Sequence, residues 1–80
     1  MLLQYVMEKL ISILKAELNS EKVTDIIQVG PRELNIVISN REDVKSIRKL
    51  AALAHDDSEV KIKGIKVNFV DQYGTRFEQL

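Results

Sequence analysis

The chain has no cysteine and no tryptophan, and only one histidine, one proline and three glycines among its 80 residues. Each scarcity removes a class of function. Without cysteine there is no disulfide, thiolate metal site, iron–sulfur cluster or cysteine nucleophile, and the expected setting is intracellular and cytoplasmic. Gly30, Gly64 and Gly74 are too scattered to build a glycine-rich loop that cradles phosphate ahead of a helix. A single histidine, His55, with no Gly-x-Ser-x-Gly elbow leaves a serine nucleophile without its usual base and presentation. Two tyrosines and two phenylalanines offer few platforms on which bases could stack. Charge of one sign is also missing: twelve Lys and Arg balance twelve Asp and Glu, so no global field draws the chain to nucleic acid or an anionic membrane.

What is present is an ordinary globular composition, 45% hydrophobic and 30% charged, which is too apolar for a disordered chain. A domain of this length buries roughly 60% of its unfolded surface, so one domain with a modest core is expected in these residues and no second one. A substrate pocket would consume scarce core volume. Paired carboxylates are compositionally available, but without a recognisable motif the chain is expected to be neither an enzyme nor a cofactor binder, and no small-molecule substrate is expected.

The first segment, "MLLQYVMEKLISILKAELNS", is rich in leucine and isoleucine. Glu8, Lys9, Lys15 and Glu17 interrupt it, so it reads as an amphipathic helix rather than a membrane span or a secretory signal. Leu3, Val6, Met7, Leu10, Ile11, Leu14 and Leu18 recur at helical spacing, and Asn19-Ser20 ends the run. "KVTDIIQV" fits a strand with Val23, Ile27 and Val29 on one face and Thr24, Ile26 and Gln28 on the other, Asp25 being discordant. A tight turn at Gly30-Pro31-Arg32 leads into "ELNIVIS", where Leu34, Ile36 and Ile38 alternate with Asn35 and Val37. The two runs are expected to pair as an antiparallel hairpin.

A second helix is expected within "NREDVKSIRKLAALAHDD". Ser39 with Glu42, and Asn40 with Asp43, have capping-box spacing at its start, and Val44, Ile47, Leu50, Ala51 and Ala54 form its inward stripe. "EVKIK" and "IKVNFV", joined at Lys63-Gly64, read as a second hairpin. Residues 1–70 then form one α+β domain: a two-layer sandwich in helix-strand-strand-helix-strand-strand order, with a mostly antiparallel four-stranded sheet and both helices on one face. Residues 71–80 are expected to be a partly ordered tail, with a short strand or a helical turn as the structure it could hold. The helix-strand-strand-helix opening is similar in element order to that of type II KH domains. Those hold nucleic acid with a Gly-x-x-Gly loop, which this sequence lacks, so no functional residue carries over.

Three groupings are candidates for function. His55-Asp56-Asp57 has metal-ligand chemistry, but adjacent residues at a helix end diverge, and a histidine there is explained by the helix dipole; no metal site is expected. Arg41, Lys45, Arg48 and Lys49 fall within an arc of about 80° to 100° on a helical wheel and could contact about four phosphates non-specifically. Such residues also serve simply as a solvated helix face. The apolar residues of the first helix span about 180°, wider than packing on one layer requires. Part of that excess could be covered by the second helix. The remainder, with β-branched residues on the sheet face away from the helices, points to a protein partner, a homodimer by default. The expected contacts are Leu2, Tyr5, Met7 and Ile13 on the helix, with Ile26, Val37 and Val70 on the sheet. A self-associating interaction module in an assembly, adaptor or regulatory role is the leading expectation, with nucleic-acid binding through the basic helix face as its alternative and no membrane partner.

Overall fold

The computed structural model describes residues 2–18, 21–57 and 64–79, with side chains described over 4–18, 21–53 and 64–77. Among these the chain forms helix α1 (Leu2–Glu17), strands β1 (Val23–Gly30) and β2 (Glu33–Ile38), a 3-10 turn (Arg41–Asp43), helix α2 (Val44–Asp57), and strands β3 (Lys66–Val70) and β4 (Arg76–Gln79). The fold is α+β, with a four-stranded sheet in the order β1-β2-β3-β4. It is mixed: β1–β2 and β3–β4 are antiparallel, whereas β2 and β3 run parallel. A parallel pair needs a crossover, which the segment containing α2 supplies.

The helical spacing of α1 buries Met7, Leu10, Leu14 and Leu18, and that of α2 buries Val44, Ile47 and Ala51. Both stripes join one cluster with Ile26, Leu34, Ile36, Ile38, Val67 and Phe69 of the sheet. On β2 and β3 the core residues alternate with Glu33, Asn35, Val37, Lys66, Asn68 and Val70, which therefore face away from the helices.

Strand β1 departs from simple alternation. Thr24 and Val29 are extra residues, since Val23 and Asp25 stand opposite the adjacent Ile38 and Val37, and Gln28 and Gly30 opposite Leu34 and Glu33. The first bulge reverses the side-chain parity. Val23 and Ile26 consequently share the inner face, although they are three residues apart, while Ile27 and Val29 are exposed. This corrects the expectation that Val23, Ile27 and Val29 share a face and that Ile26 opposes them. Asp25 is part of the same irregularity: its Oδ1 accepts the Ile26 amide at 2.8 Å. Gln28, on the inner side, exchanges amide hydrogen bonds of 3.1 and 3.2 Å with Gln4 and ties β1 to the start of α1.

Two further differences concern connections. The tail holds the short strand allowed for it, β4, and this strand joins the sheet, so the strand expected to close the sheet, over 65–70, is instead β3; the expected strand over 59–63 lies outside the described residues. The β3–β4 turn is built by Asp71, whose Oδ1 accepts the amides of Tyr73 and Thr75, both at 2.9 Å, with Gly74 at φ +84°. Aspartate mimics a turn of backbone, and glycine accepts a left-handed conformation. The expected capping boxes are not formed. Asn40 caps the 3-10 turn through its backbone only, and the Ser39 hydroxyl donates to the Glu21 carbonyl at 3.2 Å because the chain beyond β2 is still bound to the entry of β1.

The bulge gives a direct stability test. In urea denaturation, Ile26→Ala should cost roughly 2 to 4 kcal/mol, as a buried aliphatic truncation does, and Ile27→Ala less than about 1 kcal/mol. Asp71→Ala, which leaves two turn amides without their acceptor, should cost about 1 to 2 kcal/mol.

Candidate functional site

The surface can be built from what the core leaves out. On α2 the core stripe centres on Val44, Ile47 and Ala51, and at 100° per residue Leu50 lies roughly 90° from that centre and Leu53 farther still. Leu50 is 46% exposed and Leu53 54% exposed, one helical turn apart. Leu50 is thus corrected from the inward stripe to the surface. Leu53 could have been noticed in the sequence as the one leucine of this helix that the stripe did not need.

Lys45, Arg48 and Lys49 on α2 and Arg41 in the preceding turn are all exposed, on the flank away from Leu50. Helix α2 therefore carries three sectors, one in the core, one basic and one apolar in water. Its entry is held by Lys22 Nζ 3.6 Å from Asp43 Oδ1 and by the Ser46 hydroxyl donating to the Asp43 carbonyl at 3.0 Å. The exposed ion pair contributes at most about 1 kcal/mol, so the backbone turn and the core stripe orient the basic sector.

The residues expected as a protein interface are dispersed. Met7 and Ile26 are buried in the core cluster, so neither reaches a partner: Met7 lies at the centre of the α1 stripe, and the β1 bulge turns Ile26 inward. Val70 does lie on the sheet face away from the helices, but it is only 3% exposed, flanked by Val37 of β2 and Arg76 of β4. Val37 is half-buried on the same face, and Ile13 is half-buried against the core. Tyr5 is exposed, while the Leu2 side chain lies outside the described residues. The surplus apolar width of α1 is largely absorbed by packing, as Val6, Ile11 and Ile13 all rest on the core. Among the described residues, the exposed large apolar residues not foreseen as a site are Ile27 and Val29 on edge strand β1, Leu50 and Leu53 on α2, and Tyr73 in the β3–β4 turn.

The His55-Asp56-Asp57 side chains lie outside the described residues. Among the described residues no cluster of three or more His, Cys, Asp or Glu is placed to hold a metal ion, and no helix is long and apolar enough to cross a membrane. A shallow groove beside the β1–β2 turn is lined by Gly30, Pro31, Arg32, Glu33, Gly64 and Lys66. Comparison with protein-family models, with curated proteins and with solved structures finds no match to this chain.

Leu50 and Leu53 belong to no core layer, so folding should not depend on them. Leu50→Gln and Leu53→Gln should each shift unfolding by less than about 0.5 kcal/mol, whereas Ile47→Ala on the same helix should cost roughly 2 to 4 kcal/mol.

Proposed function

We propose that the chain is a small, non-catalytic, cytoplasmic protein–protein interaction module that self-associates, in an assembly, adaptor or regulatory role. The observation that carries this reading is the adjacent, exposed pair Leu50 and Leu53 on α2. Two leucines one turn apart form the kind of anchor that a facing surface buries. A second copy is the occupant chosen because symmetric dimers are the commonest soluble assemblies, and because balanced charge sets up no net repulsion between copies. Tyr5 on α1 and Ile27 and Val29 on β1 are further exposed apolar groups. The two bulges of β1, with Asp25 taking up the Ile26 amide, disfavour continuous strand addition there, so the helix pair is the better contact.

The solution mass tests the proposal. Sedimentation of the whole chain should give a dimer, and the double variant Leu50→Gln, Leu53→Gln should raise its dissociation constant by about a hundredfold while leaving the fold intact. A wild-type chain that stays monomeric at every accessible concentration rejects self-association.

A second reading rests on the common exposure of Arg41, Lys45, Arg48 and Lys49. If these contact four phosphates, the affinity for a fluorescent oligonucleotide should fall with a log–log salt slope of about −3 to −4. Absence of binding at low salt eliminates it.

A further inference from the structure

Glu33 on β2 and Lys66 on β3 are direct neighbours across the parallel ladder, on the face away from the helices. Opposite charges so placed ordinarily pair. Here the carboxylate is engaged elsewhere: Asn68 Nδ2 donates to Glu33 Oε2 at 2.8 Å and to Asn35 Oδ1 at 2.9 Å. Asn68 is only 4% exposed, so its amide is a buried donor committed to that geometry. Among the described residues the Lys66 ammonium has no ion-pair or hydrogen-bond partner, and neither has the guanidinium of Arg32.

These two cations line the same open groove, of about 310 Å³. Arg32 reaches over Gly64, where a Cβ would stand 3.6 Å from its Nη1 and where φ is +88°. The wall beneath the guanidinium is therefore bare backbone. The Lys66 amide donates to the Arg32 carbonyl at 2.8 Å, which fixes the two residues' backbones against each other.

We propose that this groove binds a small anionic group, a carboxylate or a phosphate, between the Arg32 guanidinium and the Lys66 ammonium. Arginine offers a planar fork that matches both anions, and lysine adds a mobile point charge. The groove lies at the small end of the range for ligand sites, so its ligand is a small metabolite or the charged end of a larger molecule. Asn68 acts as a positioning residue: its amide holds Glu33 Oε2, so the carboxylate is directed to Asn68 rather than ion-paired with Lys66, while its charge stays beside the groove. The site lies on the opposite side of the sheet from the helices, and its occupancy does not require self-association.

Amide NMR of the whole chain, titrated separately with inorganic phosphate and with N-acetylglycine against sodium chloride at matched ionic strength, tests the proposal. Saturable shifts confined to the amides of Gly30, Arg32, Glu33, Gly64 and Lys66 are expected with at least one probe, and the probe that saturates identifies the source of the anion. Arg32→Gln and Lys66→Gln, both at exposed positions, should each weaken binding about tenfold. Glu33→Gln keeps an acceptor for Asn68 but removes the nearby negative charge, and should tighten binding about threefold to tenfold. Linear shifts spread over all basic surfaces, or saturable shifts unchanged in Arg32→Gln and Lys66→Gln, would overturn it.

Discussion

The parallel pairing of β2 with β3 is the constraint on which the rest of the molecule depends. It places Leu34, Ile36, Val67 and Phe69 on one face of two adjacent central strands, and that apolar surface must be covered. Because parallel neighbours cannot be joined by a tight turn, the chain between them includes a helix, and α2 contributes Val44, Ile47 and Ala51 to the same cluster. Helix α1 completes the cover with Met7, Leu10, Leu14 and Leu18. On the other face, the same register sets Glu33 beside Lys66, Asn35 beside Asn68 and Val37 beside Val70. One pairing thus organises both the core and the polar network behind it.

The sheet's outer strands adapt to that centre through irregularities. Strand β1 uses two bulges, and β4 inserts Phe77 between the residues paired with Phe69 and Val70, so that Phe77 packs on the core cluster. A bulge redirects side chains at the cost of a locally disrupted ladder, and it leaves an edge less suitable for adding another strand. The distinctive exposed surfaces among the described residues are side-chain surfaces: the apolar and basic flanks of α2 and the groove beside the β1–β2 turn.

Much of this was legible in local sequence. The 3.6-residue spacing of leucine and isoleucine located both helices, and the strict alternation of Leu34, Ile36 and Ile38 identified the core face of β2. The basic flank of α2 was equally readable, because helical geometry alone sets which residues share a side. The interface residues were less so. Met7 lies in the helical stripe that builds the core, and Ile26 was assigned by a parity that the Thr24 bulge breaks. The turn chemistry of Asp71 and Gly74 was visible in principle, but the preceding Lys63-Gly64 offered a competing hairpin signal and drew the last strand one element too early.

The sequence by itself determined the class of the fold, the location of its two helices and the absence of cysteine chemistry, because these follow from residue type and from periodicities that act within a few residues. Only the tertiary structure decided that β2 and β3 are parallel, that Ile26 is core while Ile27 is surface, and that residues 76–79 close the sheet. It alone decided that Glu33 answers to Asn68, thirty-five residues away, rather than to the lysine beside it. Strand register and the competition between alternative hydrogen-bond partners are settled by long-range packing, and no local pattern encodes their outcome.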